Sequence, residues 1–299
     1  MRVPASGMPQ PGVVREIAPA KVNLSLRVLG RRPDGYHELE SLFAFARAAA
    51  DEVLFTPGDE VAITTAGRFA HQLTGANIIA GAFRALAEIA PSMRLGTVHL
   101  IKNLPVAAGV GGGSADAAAV LRAVRAANPE AGLQIDWPEL AARLGADVPA
   151  CLLSRACHVQ GIGNDITPLP DLPGIAVVLV NTLREMPKDK TAQVFRRLSA
   201  PPFDEELRRA VPPGFASADE LRSHMMDTGN DLTAAAQSIA PEIGDVIEVL
   251  KASGCSYAAL SGAGPTCFGV YDDTTAAQRA ADAIANEQPG WWVVASELH

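Results

Sequence analysis

Polar and apolar residues alternate near the start of the chain, and this pattern predicts a β-strand. Over residues 21–28 (KVNLSLRV) every odd position is polar and every even position is apolar. A period of two places the two sets on opposite faces of a strand. We therefore expect a half-buried strand over 13–30, with Lys21 and Asn23 on its polar face.

Later segments carry the signals of further helices and strands. Asp136 and Ser217 are each followed three residues later by Glu, a spacing typical of a capped helix start. Apolar residues at helical spacing predict the remaining helices over 77–90, 114–127, 241–251 and 274–287. Short apolar or β-branched runs predict strands over 52–55, 60–65, 97–102, 175–180, 256–260, 267–271 and 291–295.

The order of these elements indicates the fold class. Strands and helices mix without a regular alternation, which predicts an α+β fold. Between residues 158 and 174 the composition shifts to Gly, Pro and Asp, as is typical of a boundary between domains. We therefore predict two domains, 1–158 and 159–299.

The composition is that of a globular protein, and it narrows the range of functions. The chain has 299 residues, of which 48% are hydrophobic and 19% charged. A net charge of −8 argues against a general nucleic-acid-binding protein, although not against binding of a small anion. The N-terminus lacks a signal-peptide pattern, no apolar run reaches 18 residues, and the four cysteines form no C-x-x-C pair. We expect a cytoplasmic protein with reduced thiols that binds neither membranes nor nucleic acid.

Residues 109–114 (GVGGGS) place glycines before a predicted helix, which indicates a phosphate site. Glycine leaves no Cβ beside a ligand, and a helix N-terminus offers unpaired N–H groups to an anion. A flexible linker is the plain alternative. A Walker A loop is excluded because no lysine lies between Pro105 and Lys188. A Rossmann fingerprint matches only in part, because its sixth position is Ser114 and no acid follows at the required distance.

Residues 105–114 (PVAAGVGGGS) resemble the central motif of the GHMP kinases, P-x-x-x-G-[LV]-G-[GS]-[GS]-[SA], at every fixed position. Residues 19–24 (PAKVNL) and 261–269 (SGAGPTCFG) resemble the first and third motifs, so the resemblance covers nearly the whole chain. It implies a two-domain GHMP kinase fold, with an N-terminal ribosomal-protein-S5-like ATP domain and a C-terminal ferredoxin-like α/β-plait domain. It also implies ATP and Mg²⁺ as cofactors, and direct in-line phosphoryl transfer to a small-molecule alcohol.

Two further segments, 32–37 (RPDGYH) and 145–149 (GADVP), resemble one subfamily of these kinases. Its members phosphorylate the 2-hydroxyl of a cytidine-diphosphate alcohol in the non-mevalonate route to isoprenoids, and other GHMP kinases lack the D-G-Y-H segment. Two rival interpretations are a kinase of the same family that acts on homoserine or a mevalonate-like alcohol, and a non-catalytic nucleotide- or RNA-binding module. The oligomeric state stays open.

The resemblance implies a catalytic pair, with Asp147 as general base and Lys21 as its cationic partner. A carboxylate can accept the proton of the attacking hydroxyl, and an ammonium can stabilise the attacking oxygen or the transferring phosphoryl group. From spacing alone, a helix N-cap would be the better interpretation of Asp147, and a lone lysine on a strand is usually solvated. Asn23 is implied to bind the substrate or to orient Asp147.

The same resemblance implies a cytosine site. Tyr36 and His37 would hold the base by stacking and hydrogen bonding, whereas their plain interpretation is a turn. Residues 191–195 (TAQVF) resemble a second stacking wall, which makes Phe195 its candidate. A core phenylalanine on a helix is nearly as good an interpretation of Phe195.

The glycine loop, residues 105–114, is implied to wrap the ATP phosphates through its backbone N–H groups. The candidate residues are Pro105, Val106, Ala107, Ala108, Gly109, Val110, Gly111, Gly112, Gly113, Ser114 and Ala115. Lys102 and Asn77 resemble positions near the adenine, although an ordinary surface or capping role is an alternative for both. Asp116 would either help to hold Mg²⁺ or only complement the helix dipole, so the metal ligands stay unassigned.

Overall fold

The structure, a computed structural model, describes residues 12–73, 78–187 and 189–299, which fold around one ten-stranded sheet. The strands are β1 (Val14–Arg31), β2 (His37–Thr56), β3 (Ala62–Ala66), β4 (Thr97–Ile101), β5 (Cys157–Gly161), β6 (Asp165–Pro168), β7 (Ile175–Asn181), β8 (Tyr257–Leu260), β9 (Cys267–Tyr271) and β10 (Trp292–Leu298). The helices are α1 (Ile78–Ile89), α2 (Gly112–Ala127), α3 (Trp137–Leu144), α4 (Val148–Leu153), α5 (Lys190–Leu198), α6 (Ala218–Thr228), α7 (Thr233–Gln237), α8 (Glu242–Ala252) and α9 (Thr274–Glu287). The predicted α+β class is confirmed.

The sheet consists of two halves that meet where β10 pairs with β2. Its order is β3-β4-β2-β10-β7-β9-β8, with β1 paired to β2 and with β5 paired to both β2 and β6. In the first half, β1 and β2 form a long antiparallel hairpin, from Val14 opposite Phe55 to Arg31 opposite His37. In the second half, β7 to β10 pair antiparallel, and α8 and α9 pack on them. The turn between β1 and β2, residues 32–36, therefore lies at the end of the longest hairpin.

β1 differs from the predicted half-buried strand, because both of its faces are buried over residues 20–25. Lys21 and Asn23, on the polar face, are only 5% and 3% exposed. Part of their cover comes from far along the chain, since the backbone N–H of Asn23 donates to Ser261 Oγ at 3.1 Å. The alternation correctly identified the residues that share a face. It could not show that residues of the C-terminal half, such as Ser261, cover that face.

β2 is also longer than predicted, because it spans twenty residues where the sequence indicated a strand only over 52–55. It pairs with β1, β4, β5 and β10, which makes it a central strand. Residues 40–46 are buried on both faces of β2, so this stretch shows no period of two. The predicted domain boundary between residues 158 and 159 falls inside β5, and the division into two domains stays a prediction.

The predicted helix caps are confirmed. Asp136 accepts a hydrogen bond from the backbone N–H of Glu139 at 3.0 Å, and Ser217 accepts one from Glu220 at 3.2 Å.

None of the helices in the described residues is long and apolar enough to cross a membrane. The four cysteines all lie in the described part of the chain, and they are free thiols.

Two glycine-rich loops touch between the two halves of the sheet. The glycine loop leads into α2, and the loop of residues 261–266 joins β8 to β9. Thr266 donates from its backbone N–H and from Oγ1 to the carbonyl oxygen of Ala108, at 3.1 and 2.8 Å. Gly109 has a φ of +82°, and a Cβ at this position would collide with the carbonyl group of Gly264. Glycine at position 109 therefore permits the close approach of the two backbones.

We expect the substitution Gly109→Ala to lower the free energy of unfolding by about 1–3 kcal/mol, because the added Cβ meets both a left-handed backbone and the Gly264 carbonyl. The matched control is Gly113→Ala, where the nearest atom is Ile78 Cγ2 at 3.9 Å and the backbone is helical. That variant should be as stable as the unsubstituted protein or more stable. Urea denaturation of both variants checks this, and equal stabilities would contradict the proposed loop contact.

Candidate active site

A buried ammonium and a partly exposed carboxylate face each other beside β1. Lys21 Nζ lies 3.3 Å from Asp147 Oδ2 and donates to Asn23 Oδ1 at 2.9 Å. The same ammonium lies 4.3 Å from the centroid of the Phe43 ring, a cation–π contact. The side chain of Lys21 is 6% exposed and that of Asp147 is 35% exposed. The structure thus brings the two predicted catalytic residues together, with the carboxylate still accessible.

Asp147 precedes α4, but its side chain does not cap that helix. Its carboxylate makes no capping hydrogen bond, whereas the carboxylate of Asp136 caps α3 in the usual way. The N-cap interpretation that spacing alone favours is therefore not realised. The carboxylate of Asp147 instead pairs with Lys21.

A chain of hydrogen bonds fixes the orientation of Asn23. Its Nδ2 donates to Ser41 Oγ at 2.9 Å, and Ser41 Oγ donates in turn to the carbonyl oxygen of Ser25 at 2.5 Å. This leaves Asn23 Oδ1 as the acceptor for Lys21. Asn23 thus holds the ammonium in place, and Ser41 supports it from the neighbouring strand.

A cavity of about 380 Å³, which we term the transfer cavity, contains this catalytic pair. Its lining connects the pair to the glycine loop and to α5. The lining includes Lys21, Asp147, Ser114, Lys190, Thr191 and Phe195. A hydroxyl group beside Asp147 would therefore share one cavity with the start of α2.

A second cavity of about 420 Å³, the nucleotide cavity, is also lined by the glycine loop. Eight of the predicted loop residues line it: Val106, Ala107, Ala108, Gly109, Gly111, Gly112, Gly113 and Ser114. Gly109, Gly111 and Ser114 line the transfer cavity as well, so the loop stands between the two cavities. The other three predicted loop residues, Pro105, Val110 and Ala115, are buried, and Asn77 lies outside the described residues.

The start of α2 is suited to an anion. The helix begins at Gly112, and its N-cap, Gly111, has a φ of 65° and offers no side chain to the first turn. The first N–H groups of a helix have no partner within it and lie at the positive end of its dipole. Phosphate oxygens can satisfy these groups.

Lys102 lines the nucleotide cavity, but its charge is already neutralised by protein. Its ammonium donates to Asp51 at 2.5 Å and to Asp116 at 2.7 Å, and its side chain is 2% exposed. Asp51 also accepts from the backbone N–H groups of Asn103 and Leu104, at 2.5 and 2.8 Å. Lys102 therefore supports the start of the glycine loop, and its predicted contact with ATP stays a prediction.

Asp116 presents one oxygen without a partner beside the nucleotide cavity. Oδ2 accepts from Lys102, whereas Oδ1 is buried and has no hydrogen-bond partner among the described residues. Burial raises the pKa of Asp116 to about 8, against the opposing charge of Lys102. Over the described ranges, no group of three or more His, Cys, Asp or Glu side chains is arranged to hold a metal ion.

A third cavity of about 640 Å³, the cytosine cavity, contains all three residues predicted to hold the base. The rings of His37 and Phe195 are stacked, with centroids 4.9 Å apart and planes at 26°. Tyr36 is 62% exposed at the rim. Phe195 and Thr191 line both this cavity and the transfer cavity, so the two adjoin. A ligand that spans both could place a base and a hydroxyl group at the same time.

Local contacts set the position of Tyr36 and the charge of His37. Asp34 accepts from the backbone N–H of Tyr36 at 3.0 Å, which shapes the turn before β2. Burial and the positive charge of Arg31 lower the pKa of His37 below its usual value. At neutral pH the imidazole is therefore mostly uncharged, and it can offer both a donor and an acceptor.

Three residues of the site were missed by the sequence analysis. They are Ser41, which orients Asn23, Asp51, which binds the backbone just before the glycine loop, and Lys190, which lines the transfer cavity. Each is a single polar residue outside the recognised motifs. Their places depend on strand register and on contacts between distant loops, for which the sequence carries no local signal.

Comparison with known proteins identifies the family of this chain. The family model for the GHMP kinases N terminal domain matches residues 77–155, and the model for GHMP kinases C terminal matches residues 213–289. A 4-diphosphocytidyl-2-C-methyl-D-erythritol kinase of Rhodopseudomonas palustris is 44% identical over 298 residues, which cover 95% of this chain and 97% of that protein. A kinase of the same name from Parvibaculum lavamentivorans is 44% identical over 290 residues, or 95% of this chain and 98% of that protein.

Solved structures extend the comparison to the fold. A crystal structure of a 4-(cytidine 5'-diphospho)-2C-methyl-D-erythritol kinase matches with a TM-score of 0.74 and 32% identity, over 95% of this chain and 99% of that one. A homoserine kinase of Cytophaga hutchinsonii matches with a TM-score of 0.66 at 17% identity, over 99% of this chain and 96% of that one, which supports the fold alone. The near-complete matches at more than 40% identity show that the chain belongs to the 4-diphosphocytidyl-2-C-methyl-D-erythritol kinase family of the GHMP kinases.

Proposed function

We propose that this protein transfers the γ-phosphoryl group of ATP to the 2-hydroxyl of 4-diphosphocytidyl-2-C-methyl-D-erythritol, in the non-mevalonate route to isoprenoids. Membership of the family supports this activity. The observation that carries it is the continuity of the three cavities, because Phe195 joins the cytosine cavity to the transfer cavity and the glycine loop joins the transfer cavity to the nucleotide cavity. A cytoplasmic location remains a prediction.

The proposed chemistry is a single in-line displacement. Asp147 accepts the proton of the 2-hydroxyl as its oxygen attacks the γ-phosphorus, while the bond from that phosphorus to the bridging oxygen breaks and ADP leaves. Lys21, 3.3 Å from Asp147, stabilises negative charge on the attacking oxygen and on the transferring group. Asn23 acts through Lys21, whose ammonium it holds. Positioning and electrostatics supply the acceleration, with no phosphorylated enzyme.

The glycine loop and Asp116 are proposed to hold the phosphates and their metal ion. The uncapped N-terminus of α2 would bind the phosphate oxygens of ATP. Mg²⁺ takes one or two protein oxygens together with substrate phosphates, and the unpartnered Oδ1 of Asp116 and the hydroxyl of Ser114 fit that donor type beside the nucleotide cavity. When bound, Mg²⁺ would neutralise charge that develops on the phosphates.

We expect Asp147→Asn to lower kcat by about 100- to 10,000-fold, because the amide cannot accept the proton of the hydroxyl. The control is Asp136→Asn, which keeps a helix cap outside the three cavities and should leave kcat unchanged. The measurement is ADP release with the cytidine-diphosphate alcohol, with homoserine and with mevalonate.

Two outcomes of this assay would count against the proposal. Full activity of Asp147→Asn would show that another group is the base. Release of ADP with homoserine or mevalonate, but not with the cytidine-diphosphate alcohol, would show that the substrate is wrong.

We also expect Phe195→Ala to raise the KM for the cytidine-diphosphate alcohol by about 5- to 150-fold, because stacking on a base contributes about 1–3 kcal/mol. The KM for ATP should not change. The control is Phe215→Ala, since Phe215 also packs against a histidine ring, that of His224 at 5.2 Å, but does not line the cytosine cavity. Steady-state kinetics with each substrate varied in turn check this, and an unchanged KM for the cytidine substrate would exclude Phe195 as a wall of the site.

A further inference from the structure

Lys190 places a buried ammonium where the glycine loop meets the 261–266 loop. It is the first residue of α5 and is 6% exposed. Its Nζ donates to the carbonyl oxygen of Ala107 at 3.1 Å and to that of Gly264. Both acceptors are neutral, and within the described residues no carboxylate lies at ion-pair distance from Nζ.

This environment differs from that of the other two buried lysines of the site. Lys21 has Asp147 as its counter-charge, and Lys102 has two carboxylates. A buried charge without a counter-ion is costly, so the positive form of Lys190 favours an anion nearby. Burial, together with repulsion from Lys21, lowers the pKa of Lys190 to about 8.

The position of Lys190 indicates which anion would meet it. Lys190 lines the transfer cavity together with Lys21, Asp147 and Ser114, but it does not line the nucleotide cavity. A lysine ammonium has three donors, and the two carbonyl groups use two of them. The phosphate group that enters the transfer cavity is the one that moves from ATP to the hydroxyl.

We propose that Lys190 binds the transferring γ-phosphoryl group and is thus a further catalytic residue beside Lys21 and Asp147. This inference rests on the proposed kinase function. The ammonium donates its third hydrogen bond to a γ-phosphate oxygen, and its charge stabilises the phosphoryl group during transfer. The two carbonyl groups hold the ammonium in place before ATP binds.

A purely structural role makes a different prediction. If Lys190 only ties the glycine loop to the 261–266 loop, its loss would disturb the loop itself. ADP and ATP would then lose affinity to the same extent. A contact with the γ-phosphoryl group would weaken only the ligand that carries this group.

The test compares Lys190→Gln with Lys190→Arg in the full chain. Glutamine keeps a donor for the carbonyl groups but removes the charge, and arginine keeps the charge. Lys251→Met is the control, because Lys251 is exposed on α8, where it pairs with Glu248, and it lines neither the transfer cavity nor the nucleotide cavity. Calorimetry with Mg²⁺ measures the affinity of each protein for ADP and for the non-hydrolysable β,γ-imido analogue of ATP, and kcat is measured separately.

We expect Lys190→Gln to bind the analogue at least tenfold more weakly, to bind ADP within twofold of the unsubstituted protein, and to lose about 100-fold in kcat. Lys190→Arg should recover part of both losses. Equal losses for ADP and the analogue, or no loss for either, would overturn the proposal. The binding measurements need no acceptor alcohol, so they stand even if the substrate proposed above is wrong, whereas an unsubstituted protein that binds neither nucleotide would count against the kinase function itself.

Discussion

The direct contact between the glycine loop and the 261–266 loop is the constraint on which the active site depends. The backbones touch at Gly109 and Gly264, where a Cβ on Gly109 would collide. Thr266 and Lys190 then bind carbonyl groups across the same junction. This contact brings residues of the C-terminal half into the wall of the transfer cavity. The shape of that cavity therefore depends on how closely the backbones of the two loops approach at their glycines.

Three buried lysines around this junction differ in their counter-charges, and that difference is the physical basis of the separate roles proposed for them. Lys102 donates to both Asp51 and Asp116, so its ammonium is already paired within the protein and supports the backbone before the loop. Lys21 pairs with the accessible Asp147 and so influences the group proposed to act as base. In the part of the chain that the structure describes, the ammonium of Lys190 has only carbonyl partners, which leaves its charge available to the cavity that it lines. Because burial removes solvent screening, the partner of each ammonium decides what that ammonium can do.

Local patterns predicted most of the helices and short strands, and motif resemblance predicted the central pair of the site. Helix α9 and strand β9 have the bounds that the sequence indicated. The bounds of β2 were not predicted, because its residues 40–46 are buried on both faces and show no period of two. Lys21 and Asp147 lie in motifs and were found. Ser41, Asp51 and Lys190 depend on strand register and on loops that meet only after folding, so no short stretch of sequence identifies them.

In the proposed reaction, helix α5 connects recognition to chemistry, because its residues border two cavities. Its first residue, Lys190, lines the transfer cavity, and Phe195 stacks on His37 in the cytosine cavity. A base that displaces or tightens the stack of His37 and Phe195 would affect the position of α5, and α5 also carries the buried ammonium of Lys190. Binding energy from the cytosine, remote from the reacting atoms, can then help to position the charge beside the phosphoryl group. An alcohol that lacks the base cannot supply that energy. The position of α5 would therefore select for the cytidine-diphosphate alcohol at the chemical step as well as in binding.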